Sequence, residues 1–258
     1  MIANMYPILA RYGSIFVYSY TLVMALGIIV GIVLINRSSR RIDVPGWVDA
    51  LLLVMLAGLI GGRIGFVLSR WDYFQEQPSQ AWQIWQGGLS YYAALLTGLL
   101  ALLLWAIMGK RSFYRYAALF APAFVLITIF GWTACWLEGC AYGQETVLGW
   151  LSADLPDEYG VFAVRYQTQL AGIILSLAAF LFILWYQKDR PHQTVFWMAL
   201  AIVSLIHLLA GLLRGDPTLA IGHLRLETLL NVLLAAISLL LLQYERYRRK
   251  HANGNLWD

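Results

Sequence analysis

Arg63, Arg165, Arg214 and Arg225 sit inside or at the ends of long apolar runs. A charge there is costly and faces a protein interior or a water-filled cavity. A guanidinium is a planar fork that gives a phosphate two parallel hydrogen bonds. Four such groups point to a lipid headgroup phosphate or another anion. Snorkelling to the membrane interface is the alternative for Arg165, Arg214 and Arg225. Arg63, in IGGRIGFVL, has apolar residues on both sides and is expected to play an interior role. His207 lies deep in an apolar run, either as a helix–helix hydrogen-bond partner or as a proton carrier. Glu138 and Glu227 stand near helix ends, to pair with an arginine or to be solvated. The stretch FGWTACWLEGCAYGQET, residues 130–146, closes an apolar run and turns abruptly polar. Its Cys135 and Cys140 are five apart, which neither stacks them on one helix face nor makes a zinc motif, so no metal is expected. Inert buried thiols are the default for this pair and an outer-side disulfide is the alternative.

The elements that must position these groups are membrane helices. Of 258 residues, 60% are hydrophobic and 12% charged, against about a quarter charged in soluble domains. Runs of ~20 apolar residues recur, each long enough to cross ~30 Å of hydrocarbon. They predict seven spans near 15–36, 47–68, 90–109, 115–137, 166–186, 193–213 and 223–243. The expected fold is an all-α polytopic membrane protein, a seven-helix bundle forming a single integral membrane domain over 1–258. There is no clear internal repeat, and the opening MIANMYPILA lacks the basic start of a cleavable signal peptide.

The formal net charge of +4 reads as a positive-inside bias, not as a nucleic-acid surface. Arg37, Arg40 and Arg41, then Lys110, Arg111 and Arg115, then Lys188 and Arg190, then Arg246, Arg248, Arg249 and Lys250 fall on one side, expected to be cytoplasmic together with the C-terminus. The N-terminus and residues 69–89, 138–165 and 214–222 then face outward, with 69–89 and 138–165 forming an outward-facing cap. The 138–165 segment is acidic, through Glu138, Glu145, Asp154, Asp157 and Glu158. Trp71, Trp82, Trp85, Trp132, Trp136 and Trp150 are placed as an interfacial aromatic belt. Glycines 61, 62 and 65 allow close helix packing around Arg63. Gly139 and Gly143 break the helix after the fourth span, and the 138–146 segment reads as the floor or lip of an outward-facing polar site.

GGRIGFVL, followed by IWQGGLSYYAALLTG, WTACWLEGCAYGQET, VRYQTQL and HLLAGLLRGDPT, resembles the prolipoprotein diacylglyceryl transferases over nearly the whole chain. The resemblance implies transfer of a diacylglyceryl group from phosphatidylglycerol, or a related anionic lipid, to the lipobox Cys of a prolipoprotein signal-peptide region. A thioether forms and glycerol phosphate leaves. It implies a bacterial cytoplasmic membrane and neither a metal nor an organic cofactor. The chemistry needs a thiolate from a thiol of pKa ~8.5, a cationic clamp on the departing phosphate, and side access for a lipid.

Residue by residue, Arg63 matches the family's Gly-Gly-Arg, and Tyr20 a tyrosine of its first span. Gly87, Gly88 and Ser90 match the entry to its third span, and Gly143 the last glycine of its signature. Arg165 and Gln169 fit its Arg-His-Pro-Ser-Gln segment, and Arg214 an arginine closing its sixth span. Other positions depart. Tyr92 stands at a family His, and Trp132 at the signature Arg that holds the headgroup. Cys135 and Glu138 stand at signature Asn positions, Cys140 at its Glu, and His207 and Gly211 at an Arg and a Glu. The expected catalytic groups are therefore Glu138 and His207. Tyr20, Arg63, Tyr92, Trp132, Gly143, Arg165, Gln169 and Arg214 are the expected substrate-binding set. A non-catalytic homologue that binds lipid or lipoprotein precursor is the alternative. A small transporter would need charges repeated along several spans, and these are scarce.

Overall fold

The computed structural model describes residues 8–12, 15–84, 87–147, 149–157, 159–222 and 224–254; the expectations placed on Trp85 and Glu158 fall outside these. The fold is all-α and polytopic. Helices α1 (Ser19–Ile42), α2 (Trp47–Ser69), α4 (Tyr91–Met108), α5 (Phe113–Glu138), α6 (Thr168–Tyr186), α7 (His192–Leu213) and α8 (Leu226–Gly254) each carry a stretch long and apolar enough to cross a membrane. A short helix α3 (Trp71–Glu76) comes after α2. Among the described residues, three antiparallel two-stranded ribbons occur: β1 (Ile8–Tyr12) with β2 (Ile15–Tyr18), β3 (Ser152–Pro156) with β4 (Phe162–Tyr166), and β5 (Ala220–Ile221) with β6 (Leu224–Arg225). The first span starts later than expected because Ile15–Tyr18 pairs as a strand. Its helix then runs on through Arg40 and Arg41, since an exposed basic turn suits a helix C-terminus.

The chain packs as two units, Ser39–Leu119 and the remainder, with the boundaries inside α1 and α5. In Ser39–Leu119 the organising contact is α2 against α4. Gly58, Gly61, Gly62 and Gly65 form a stripe with no side chains, and α4 lays Ala93, Ala94 and Thr97 into it, while Gly98 of α4 sits against Val54. Lipid tails are as apolar as leucine, so such helices associate by close packing and hydrogen bonding rather than by hydrophobic exclusion. Thr97 Oγ1 donates across the seam to the Ala57 carbonyl at 3.0 Å. The Ser90 amide donates to the Gly62 carbonyl at 2.9 Å, which brings the start of α4 alongside Arg63.

In the other unit α5 is the most buried of the spanning helices, although it contains Pro122. A proline inside a spanning helix is tolerated where neighbouring protein covers the freed backbone. α1 lies on α5 through its own glycines: a Cβ at Gly27 would fall 2.6 Å from the Phe130 ring, and one at Gly31 3.6 Å from Ala123. α7 packs against both α6 and α8. Buried Ser204, Asn231 and Ser238 lie within α7 and α8, polar groups of the kind that hydrogen-bond between helices in hydrocarbon.

Candidate functional site

The polar segment after α5 has a defined geometry. Gly139 takes φ +85°, a left-handed conformation that ends the helix. The Gly139 and Cys140 amides both donate to the Cys135 carbonyl, at 2.8 and 3.0 Å. Cys135 and Cys140 are joined in a disulfide. This corrects the default of two inert thiols. The pair fails as one helix face because the chain reverses between them, and that reversal is what brings the two sulfurs together. Gln169 Nε2 donates to the Cys140 carbonyl at 2.8 Å, and Thr168 Oγ1 donates to the Ala141 carbonyl. Gln169 is fully buried and acts here as a backbone anchor.

Beyond Ala141 the chain becomes a ribbon held on both edges. The Gly215 amide donates to Tyr142 O and the Gln144 amide to Leu213 O, each at 2.8 Å. On the other edge the Tyr166 amide donates to Gln144 O at 3.1 Å and the Thr146 amide to Val164 O at 2.8 Å. Gly143 bridges Arg214, and Glu145 bridges Arg165. Gly143 is needed for clearance, because a Cβ there would run into the backbone carbonyl and Cβ of Tyr166. Gly143→Ala is therefore expected to destabilise the fold by roughly 2–4 kcal/mol, from overpacking plus strained ribbon hydrogen bonds. Thermal melting in detergent checks this, and an unchanged midpoint would contradict the tight approach.

Arg165 is buried and paired. Its guanidinium lies 3.1 Å from Glu145, 3.3 Å from Asp157 and 5.2 Å from the centre of the Tyr142 ring. Asp157 organises the β3–β4 turn, its Oδ1 accepting from the Tyr159 and Val161 amides at 2.9 Å each. The Val161 amide first, then the Tyr159 amide and Arg165, hold the Asp157 carboxyl below its ordinary 3.8. A depressed carboxylate stabilises the fold fully above its ordinary value, and that contribution is lost as pH falls through the lowered one. The Val161 amide is thus expected to stay protected from hydrogen exchange down to about pH 4 and to lose protection below it. Asp157→Ala should remove that acid-dependent step, and a step that persists in the variant would place it elsewhere.

Arg214 is also neutralised. Its Nε–Nη2 edge donates to both Asp216 carboxylate oxygens, at 2.8 and 2.5 Å, and its Nη1 donates to Glu227 at 2.7 Å. Arg225 lies 3.8 Å from the Asp216 carboxylate and donates to the Asp216 carbonyl at 3.0 Å. Both Arg165 and Arg214 therefore carry carboxylate partners, and neither is a bare clamp snorkelling to an interface. Glu227 pairs with an arginine, as one of its two expected roles had it. Among the described residues Glu138 forms no such pair. It is exposed at the last position of α5, within electrostatic range of Tyr20.

Trp132 belongs to the core, not to the aromatic belt. It is 6% exposed and packs with Ala141, Ala210, Cys135 and Ile173. Gly172 makes room for it, since a Cβ there would enter the indole ring. The His207 ring is tilted against Trp132 with centroids 5.4 Å apart, and His207 lies within electrostatic range of Arg214. Trp71, Trp82, Trp136 and Trp150 are exposed, as a belt requires.

In Ser39–Leu119, Arg63 is 6% exposed, as its interior role predicts. Its partners are four backbone carbonyls: Nε to Ala81 at 2.8 Å, Nη2 to Gln80 at 2.7 Å, and Nη1 to Gly87 at 2.5 Å and Gly88 at 3.1 Å. Gly87 and Gly88 both have positive φ. At Gly88 a Cβ would also strike the Phe66 ring. The guanidinium further lies 5.6 and 5.5 Å from the Phe66 and Phe74 ring centres. No carboxylate pairs with it among the described residues. Tyr92 lies in the first turn of α4 beside Tyr91, with ring centroids 5.1 Å apart.

Seven apolar spans among the described residues, with a polar segment stitched at the end of one of them, define a polytopic membrane protein. The chain matches the family model described as prolipoprotein diacylglyceryl transferase over residues 7–244, and it belongs to that family. It is 28% identical over 251 residues to phosphatidylglycerol–prolipoprotein diacylglyceryl transferase 2 of Clostridium perfringens, covering 94% of this chain and 97% of that one. It is 30% identical over 224 residues to the Mannheimia succiniciproducens transferase, covering 84% and 82%, and 25% identical over 251 residues to that of Listeria monocytogenes serotype 4b, covering 94% and 90%.

Proposed function

We propose that this chain moves a diacylglyceryl group from phosphatidylglycerol to the lipobox cysteine of a prolipoprotein. What carries the reading is the polar ribbon 139–146, which extends from the exposed Glu138 and is tied to the segments bearing Arg165 and Arg214. Glu138 takes the proton of the acceptor thiol. The thiolate attacks the glyceryl carbon bonded to phosphate oxygen, the C–O bond breaks, and glycerol phosphate leaves with the bonding pair. Tyr20 donates a hydrogen bond beside Glu138. Arg165 and Arg214 shape the polar surface while paired. Arg63 adds positive potential for a headgroup, because no carboxylate neutralises it among the described residues. Gly143 gives the ribbon its close approach to Tyr166, and Gln169 holds the ribbon through the Cys140 carbonyl.

The protein works in a bacterial cytoplasmic membrane with its N-terminus outside and C-terminus inside. The disulfide supports this orientation independently of the basic loops, because disulfides persist in oxidising compartments. A C-terminal reporter reads as cytoplasmic under this topology, and an external signal overturns it. One observation favours a second reading, a lipid- or precursor-binding homologue without catalysis: Trp132 places an apolar core residue where the family carries its headgroup arginine. Labelled phosphatidylglycerol and a lipobox peptide, added to the purified protein, separate the two. Thioether product found by mass spectrometry supports transfer, whereas bound lipid with no product supports the second reading.

A further inference from the structure

The Cys135–Cys140 disulfide closes a short loop around the Gly139 reversal, at the one point where the ribbon leaves α5. An ordinary helix end of this kind is finished by an apolar contact between the same two positions, the residue near the end of the last turn and the one after the reversing glycine. Here a covalent bond, which a reductant can open, replaces that contact. The backbone just past the disulfide needs holding. Ala141 has φ +55°, an uncommon conformation for a residue with a Cβ. Its carbonyl and that of Cys140 are fixed by Thr168 and Gln169 at the start of α6.

The ribbon beyond it has edges on Val164–Tyr166 and on Leu213–Gly215, the two segments that carry Arg165 and Arg214. A shift at Cys140 therefore reaches both ion-pair groups through backbone hydrogen bonds. We propose that the disulfide is a positioning element for the transfer reaction, a redox-reversible lock that keeps 139–146 in register between Arg165 and Arg214. The inference rests on the transfer reading for its catalytic consequence and on the geometry alone for the lock. Opening it needs an external dithiol: the S–S bond breaks, Cys135 and Cys140 each gain a hydrogen, and the dithiol becomes a disulfide. Closing it needs thiol–disulfide exchange with an external disulfide, which carries the electrons away.

Hydrogen exchange on the full-length protein in detergent tests the lock. The reporters are the amides of Gly139, Cys140, Gln144, Thr146, Tyr166 and Gly215, each hydrogen-bonded in this segment. Dithiothreitol is expected to speed their exchange by on the order of tenfold or more, the scale of a lost short-loop cross-link. Oxidised glutathione should restore slow exchange, and amides in the middle of α6 should not change. Cys135→Ala with Cys140→Ala should behave as reduced in both conditions. Cys135→Val with Cys140→Leu, which restores an apolar contact, should recover part of the protection and ignore redox state. In the transfer assay reduction should lower kcat by about tenfold with KM for phosphatidylglycerol nearly unchanged, reversibly. Equal exchange at the six amides in both redox states overturns the lock, and so does a rise that spreads through α6. No thioether from the oxidised protein counts against the transfer reading alone, because the exchange comparison still decides the lock.

Discussion

Arg63→Ala is expected to destabilise the protein by at least ~4 kcal/mol and to release the chain from Gln80 to Gly88. Hydrogen bonds to a charged group contribute about 1.5–3 kcal/mol each, and carbonyls left half-buried without a donor add a desolvation cost. Arg63 makes four of them, to Gln80, Ala81, Gly87 and Gly88, and removing it also strips the cation from between Phe66 and Phe74. The sum is not additive, but a single residue that ties two separate turns to one helix falls in the class whose loss is severe. Thermal melting in detergent and hydrogen exchange of the 78–88 amides measure it. An unchanged midpoint with unchanged exchange would refute the pinning role. Arg63→Lys separates fork from charge. An ammonium is a compact point donor, so it serves one pair of carbonyls and abandons the other. Lys should lose about half the stability that Ala loses. If phosphatidylglycerol binding survives in Lys and fails in Ala, the charge draws the headgroup. If binding fails in both, the geometry set by the fork is what lipid recognition needs.

The membrane class and the spans were legible because both depend on local composition. A run of about 20 apolar residues has few other fates. The boundaries were less so. Ile15–Tyr18 is as apolar as the helix it precedes, and only its pairing with Ile8–Tyr12 makes it a strand. The β3–β4 hairpin left a weaker trace: the turn residues Asp157 and Gly160, with Asp157 accepting from amides two and four residues on. Arg63 as an interior residue was readable from its apolar flanks. Its carbonyl partners were not, since they depend on the positive φ of Gly87 and Gly88, which lie more than 20 residues away.

The site was legible in its residues more than in their states. Counting arginines suggested free phosphate clamps. Asp216 stands two positions after Arg214 and Glu227 two after Arg225, so the neutralising carboxylates were visible in the same stretch. The disulfide also had a cue. Cysteines on either side of Gly139 occupy the two positions that a reversed helix end brings together. Neither a single helix face nor a zinc spacing describes that geometry, which belongs to the reversed chain end that an outer-side disulfide would use. Trp132 had no cue at all, because the residue that accommodates it, Gly172, is on another helix.

Glu138→Gln is expected to lower the rate of thioether formation by about 10²–10⁴-fold, the usual contribution of a positioned general base, while phosphatidylglycerol binding stays within about twofold. The substitution keeps size and hydrogen bonding at the exposed end of α5 and removes only the capacity to take a proton. His207→Ala should do something different. His207 is half-buried with its ring against Trp132, so its loss opens space in the cluster of Trp132, Ala141 and Ala210. The expected result is a loss of about 1–3 kcal/mol of stability with kcat lowered by less than about tenfold, as for partial truncation of a packed side chain. Rapid-quench rates with labelled lipid and lipobox peptide, paired with melting curves, read both quantities for both variants. A rate that collapses in His207→Ala at preserved stability, beside a normal rate in Glu138→Gln, would move the base to His207 and make Glu138 a surface carboxylate. Normal rates in both would take proton transfer away from this end of α5 and α7. The contrast in burial makes the loss of rate in Glu138→Gln the expected outcome. An acceptor thiol must arrive from outside the packed core, and of the two groups only Glu138 is exposed to meet it.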